Sequence, residues 1–289
     1  MVSQTLLIWS NVLAFLLHFG IAVTLCILSE FNQLPTVYAS KFSIVLTTDS
    51  WTLEPTLSSF SALSVPALLL VCETITALFH LGNACLWRKR YLFCVASKVN
   101  PFRWVEYAIT ASIMAVVISF SSGVREINGL LFSGTNIGFI QLCGGLLTEL
   151  WNVPLKRERS SGTNRVWARD TVTWRLLPHL FCYPLFILWS FSVIFHFVYG
   201  GGPSCAPSFV TIIVVGEVVL FSSFAIPQLY VYSGNPSRYD VGELTYLILS
   251  ATSKAFLSIV LIVGALQQEN FDYVEGSFSE GCALVDPPT

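Results

Sequence analysis

The chain has 289 residues, 54% of them hydrophobic and 11% charged, with a mean hydropathy of +0.69 and a formal net charge of −2. A soluble domain carries about 25% charged residues, so this composition excludes an ordinary water-soluble protein and calls for an integral membrane protein. The length suits one bundle of seven helices with short loops and leaves no room for a second soluble domain.

Met1 to Thr5 carries no basic cluster, and no small-residue cleavage site follows the first apolar run, so that run is read as a membrane span and not as a removable signal peptide. Seven apolar segments follow in order, at about 5–28, 62–86, 101–123, 129–151, 174–198, 208–232 and 241–266. Each is long enough to cross a hydrocarbon core of roughly 30 Å. Pro66, Pro178, Pro184 and Pro227 fall within them, which neighbouring helices can accommodate. Gly144 and Gly145 in the fourth would let another helix or a flat ligand come close. The connection from about Ser29 to Ser61 contains a strand-like stretch, Lys41 to Thr47, a possible turn at Thr48–Ser50, and Trp51 to Glu54, which can pair back before Pro55. A short β-hairpin is expected there.

Charge alternates between the connections. Arg88, Lys89, Arg90 and Lys98 lie between spans two and three, Lys156, Arg157, Arg159, Arg165 and Arg169 between four and five, and Arg238 between six and seven. The opposite side has only Lys41 and Arg125, against Glu30, Asp49, Glu54, Glu126, Glu269, Asp272, Glu275, Glu280 and Asp286. By the positive-inside rule the amino terminus is cytoplasmic and the acidic tail, 267–289, extracellular. Of eight cysteines, Cys72, Cys85, Cys143 and Cys182 read as packing residues and Cys94 as a reduced inner-loop thiol, while Cys205 and Cys282 share the outer side, where a disulfide is allowed.

The seventh segment carries Lys254 about halfway along, where snorkelling to water is hard. A central lysine costs roughly 3 kcal/mol on insertion scales, so it needs a reason. One reason is a buried ion pair that fixes helix register. The other is chemistry: an amine in an apolar pocket loses its proton readily and condenses with an aldehyde as a Schiff base, and retinal is the aldehyde that seven-helix membrane proteins most often hold this way.

Such a cation needs a counter-charge. Span three opens with Asn100-Pro-Phe-Arg103-Trp104-Val-Glu106-Tyr107, and Glu106 is the best candidate. Arg103, one turn away, could instead take Glu106 as a plain helix-end salt bridge. Glu106 also lies several ångströms nearer the cytoplasm than Lys254, so the pairing requires the lysine to point inward or span three to begin before residue 101. Ser250, one turn before Lys254, could bond the Schiff base or its counterion, or simply back-bond a helix carbonyl. His18 and His80 are either packing residues or part of a hydrated pocket able to hold a proton. Glu149 and Glu243 stand near inner helix ends and can reach water, whereas Glu73 and Glu217 lie deeper and must be neutral, bonded or functional. The four acids together would suit a proton path. The scattered histidines do not suggest a metal site.

The motif Asn100 to Tyr107, with Ser250-Ala-Thr-Ser-Lys254, His18, His80, an inside amino terminus and a strand-bearing first outer loop, resembles the heliorhodopsins over the whole chain. The resemblance implies all-trans retinal on Lys254, Glu106 as counterion, His18, His80 and Ser250 around a cytoplasmic-side water cavity, and a homodimer in the lipid bilayer. It also implies that Tyr107, Met114, Gly145 and Phe221 line the retinal pocket. Span six departs from pump rhodopsins: it reads Phe221-Ser-Ser-Phe-Ala-Ile-Pro227, without their Trp and Tyr. The reading is a light sensor with a slow photocycle, neither an enzyme nor a nucleic-acid binder. Its rivals are light-activated proton or ion transport, suggested by Glu73 and Glu217, and a retinal-free transporter using Lys254 and Glu106 as a coupling pair.

Overall fold

A computed structural model describes residues 2–28, 36–46, 51–153, 171–199, 206–233 and 238–269. Seven helices in it are long and apolar enough to cross a membrane: Gln4–Leu28, Val65–Leu86, Pro101–Ser121, Ile127–Trp151, Leu177–Tyr199, Ser208–Tyr232 and Tyr239–Gly264, called spans one to seven below. Their large apolar side chains face outward, as Trp9, Leu13, Phe181 and Phe191 do, which is how a bundle presents itself to lipid. Span three is the most buried of the seven and forms the hub.

Local chemistry sets the helix starts. Ser64 Oγ accepts from Ala67 N (3.3 Å) ahead of Pro66, and Asn100 Oδ1 accepts from Arg103 N (3.4 Å) ahead of Pro101. The Glu126 carboxylate does the same for Gly129 N (2.9 Å). Each satisfies an amide that the helix leaves free, and proline suits the first turn because it has no N–H to lose. A short helix, Arg88–Ser97, follows span two and ends at Lys98 in the left-handed region (φ 60°), after which Asn100 begins span three.

Three spans depart from regular α-helix. Span two ends in a π-helical turn, Gly82–Leu86, and span four contains a longer one, Gln141–Leu147. Span six is interrupted at Phe224, with Pro227 in the first turn of its second piece. The π segment in span four fits tightly against its neighbours: a Cβ on Gly145 would stand 2.2 Å from the Trp104 ring. That glycine is what leaves room for the indole there.

The first long connection forms a two-stranded antiparallel sheet, β1 Thr36–Leu46 with β2 Trp51–Ala62, Leu46 facing Trp51. It is longer than the hairpin expected from sequence and runs through Pro55, which faces Phe42. In a two-stranded ribbon every strand is an edge, so a proline without an N–H is tolerated. Tyr38 N donates to Arg125 O (2.9 Å), and Val37 packs with Phe120, Val124 and Leu130, which ties the ribbon to that end of the bundle.

The interior is divided. Toward the hairpin end it is apolar, with Ile118, Val117, Ala115, Leu257, Ile213 and Trp189 at its centre. Toward the basic end, where Arg88, Lys89 and Arg90 are exposed, it is filled with polar side chains. The Cys205–Cys282 pairing, the basic residues 156–169 and the acidic tail from 270 lie outside the described residues.

Candidate functional site

Lys254 is 3% exposed, and its ammonium contacts Glu106 Oε1, itself buried. The difference in depth between the two backbones is taken up by side-chain direction. A helical Cα–Cβ bond leans toward the helix amino terminus, so Lys254 on span seven reaches toward the basic end, where Glu106 stands. Glu106 Oε1 also accepts from Thr76 Oγ1 (3.1 Å) and Thr110 Oγ1 (3.0 Å), and Lys254 Nζ lies 5.2 Å from the centre of the Tyr107 ring.

Arg103 does not take Glu106, although the two are one turn apart. Its guanidinium binds Glu149 of span four and Glu243 of span seven, and it lies over the rings of Tyr246 (4.3 Å) and Trp104 (4.6 Å). Nor do Glu149 and Glu243 reach water from their helix ends: they are 1% and 4% exposed. Asn100 N donates to Glu149 (2.7 Å), Asn100 Nδ2 to Glu243 (2.7 Å) and the Tyr239 hydroxyl to Glu149 (3.0 Å). A planar fork of five N–H donors serves two carboxylates better than it serves one, which is why arginine leaves its near neighbour for two distant acids.

The histidines fall into two linked groups. His18 Nδ1 lies 2.5 Å from Glu73 Oε2, and Glu73 Oε1 accepts from Ser258 Oγ (2.6 Å). The His18 and His80 rings are nearly parallel, 5.8 Å apart. His80 Nδ1 meets Asn11 Oδ1 at 2.8 Å, while Asn11 Nδ2 donates to Leu7 O (2.9 Å) and to the Tyr91 hydroxyl (3.3 Å). Those two donations identify Oδ1 as the acceptor end of the amide, so His80 must donate from Nδ1. In the neutral ring its Nε2 is then a bare lone pair, buried and without a hydrogen-bond partner. Tyr91, on the short helix beyond span two, donates to Glu243 Oε1 (3.4 Å) and so joins the histidines to the Arg103 cluster. Burial, and then the Glu243 carboxylate, push its phenol up.

The four acids read as a possible path therefore occupy three places, not one chain. Glu149 and Glu243 hold Arg103, Glu73 holds His18, and Glu217 stands apart in span six. Glu217 is fully buried; Ser253 Oγ donates to its Oε2 (2.8 Å) and its Oε1 has no partner. Ser250 does not back-bond its helix, and the Tyr246 carbonyl one turn before it accepts from the Tyr107 hydroxyl (2.8 Å).

Beside Lys254 opens a cavity of about 300 Å³. Tyr107, Thr110 and Met114 of span three, Gly144 and Gly145 of span four, Phe186 of span five and Phe221 of span six line it, and Ser250, Ser253 and Lys254 close it on span seven. Among the described residues no group of three or more His, Cys, Asp and Glu side chains could hold a metal ion.

A family model described as heliorhodopsin matches residues 6–266. The chain belongs to the heliorhodopsin family. It is therefore an integral, multi-pass membrane protein of a retinal-binding, light-responsive class. A comparison with curated proteins found no match.

The heliorhodopsin cavity suits that ligand. Its volume lies at the small end of the ~300–1,000 Å³ typical of small-molecule sites, its walls are mostly aromatic and aliphatic, and an amine with a carboxylate stands at one end. Trp104, Tyr246, Phe224, Phe186, Ser253 and His179 also line it, and the sequence pattern does not single them out. Tyr246 alone has a signal there, since positions 246, 250 and 254 share one helix face. Trp189 of span five packs on the Phe221 ring (5.3 Å) from behind the wall, without lining the cavity itself.

Proposed function

We propose that Lys254 holds all-trans retinal, that Glu106 balances its charge, and that the protein is a light receptor with a slow photocycle. One observation carries this reading: a buried amine–carboxylate pair at the end of an apolar cavity, in a chain of this family. Retinal bound as a Schiff base supplies visible absorption and a light-driven isomerisation that moves the nitrogen of Lys254. Thr76 and Thr110 orient Glu106 Oε1 to receive positive charge. His80, with its Nδ1–H committed to Asn11, keeps Nε2 as a proton acceptor. Glu73 and His18 beside it can share that charge, and Asn11 and Tyr91 connect the group to the Arg103 cluster.

The polar groups lie mainly on the basic side of Lys254, while Ile118, Val117, Leu257 and Ile213 fill the bundle toward the hairpin end. A proton that leaves Lys254 has acceptors on the basic side and at its own level, where Glu73 meets Ser258, while the bundle nearer the hairpin is apolar, which favours sensing over pumping. The basic end is placed in the cytoplasm, with the amino terminus inside and the tail outside, and the working form is a homodimer in the bilayer. An absorption spectrum of the purified protein with all-trans retinal, before and after hydroxylamine in light, tests the assignment. No visible band would leave Lys254 and Glu106 as the coupling pair of a retinal-free transporter.

Glu217 supports a second reading, light-activated proton or ion movement. It is a fully buried carboxyl joined to Ser253, the residue next to Lys254. Patch-clamp recording under illumination separates the two, since a sizeable photocurrent would overturn the sensor.

A further inference from the structure

We infer that the span-five wall of the cavity recognises a hydroxyl group on the ring of the chromophore, with His179 as the residue that specifies it. The inference rests on the retinal reading above and goes beyond it, because plain retinal carries no oxygen at its ring.

His179 lines the cavity that Lys254 closes, but from span five, which packs against spans three, four and six. Its Nδ1 lies 3.2 Å from the carbonyl of Gly144, in the π segment of span four. A carbonyl can only accept, so Nδ1 carries the hydrogen and, in the neutral ring, Nε2 is an acceptor. That Nε2 is buried and has no hydrogen-bond partner. The ring is not free to turn toward one: the Tyr183 ring meets it edge-on at 5.2 Å, and the Gly144 carbonyl that fixes it is itself anchored by Thr148 Oγ1 (2.8 Å).

Several other polar atoms on the cavity wall already have partners, and Trp104 Nε1, buried without one, is an N–H that can only donate. The Tyr107 hydroxyl is given to Tyr246 O, Thr110 to Glu106 and Ser222 to Val218 O (2.6 Å). Ser250 Oγ is unpartnered, but it stands one turn from Lys254, within reach of whatever that nitrogen carries. His179 has no such neighbour. A ligand anchored at Lys254 that fills the cavity brings its other end to this wall, and a C–H ring leaves the imidazole acceptor desolvated and unmet. A ring O–H donating to Nε2 meets it, and a buried acceptor gaining its only donor favours that ligand by about five-fold.

The test is a competition. Purified protein produced without chromophore is offered equal amounts of all-trans retinal and all-trans 3-hydroxyretinal, and the bound aldehyde is extracted and resolved by chromatography. The expected result is about five-fold enrichment of the hydroxylated aldehyde in the native protein, falling to parity in the pigment that His179→Phe forms. Parity in the native protein would mean that a water or nothing at all meets Nε2, and overturns the inference without needing the variant. Enrichment that persists in His179→Phe overturns it as well, because another group would then be responsible. A protein that forms a pigment with neither aldehyde refutes the retinal reading itself, a result distinct from parity.

Discussion

Two buried cations stand close together on the same side of the bundle, and they are held very differently. Arg103 has two carboxylates, two aromatic faces and a shell of Asn100, Tyr239 and Tyr91 that satisfies the carboxylates in turn. Lys254 has one carboxylate and one aromatic ring, and the rest of its surroundings is a cavity. A cation whose two terminal nitrogens are each taken by a carboxylate is a fastener: it joins spans three, four and seven, and only its buried Nε is left without a partner. A cation bonded on one side and open on the other is a site. Burial alone does not tell them apart, since both are nearly inaccessible to water.

Substitutions on either side can break this contrast. The largest effect is expected at Lys254, where Lys254→Ala should abolish visible absorption altogether while the protein still purifies as a folded membrane protein. A coloured Lys254→Ala protein would place the chromophore elsewhere. Next comes Arg103→Gln, which strands Glu149 and Glu243 without their cation and should destabilise the bundle by about 3–5 kcal/mol, read as a lower Tm of the purified protein. If that variant were as stable as the native chain, the cluster would not be a fastener.

Glu106→Gln should do the reverse, costing less stability but moving the absorption band to the red, because the positive charge on the nitrogen loses its anchor. An unmoved band would remove Glu106 from the counterion role. The smallest effect is at Tyr91. Its phenol is pushed above the ordinary value of 10.0, so the folded protein favours the protonated form. The stability this contributes is complete below pH 10 and declines as pH rises past it, when the unfolded chain ionises first. Tyr91→Phe should therefore cost about 0.5–1.5 kcal/mol at neutral pH and flatten the alkaline limb of a Tm-against-pH curve.

Some of the site is legible in particular residues of the sequence. Lys254 stands out because a charge in the middle of an apolar run has no cheap explanation, and Glu106 because it is an acid inside another span, although several ångströms nearer the cytoplasm. The Arg103 pairing is not legible. Sequence spacing favours the neighbour one turn away, whereas the guanidinium takes two acids 46 and 140 positions further along the chain. His179 is hidden for the same kind of reason. Near a helix end it looks ordinary, and only the π segment that brings the Gly144 carbonyl to its Nδ1 leaves the other nitrogen without a partner.

What the sequence determined by itself is what hydrophobicity and helix-end chemistry decide locally. These are seven spans, whose ends lie within three residues of the apolar runs, a hairpin in the first long connection, and a lysine that could not be there by accident. What only the tertiary structure decided is who meets whom. Contacts between buried polar groups depend on the rotation and depth of whole helices relative to one another, and these are set by packing across the bundle at glycines such as Gly145 and at the π turns. A one-dimensional pattern carries the face of each helix but not the angle at which two faces are brought together.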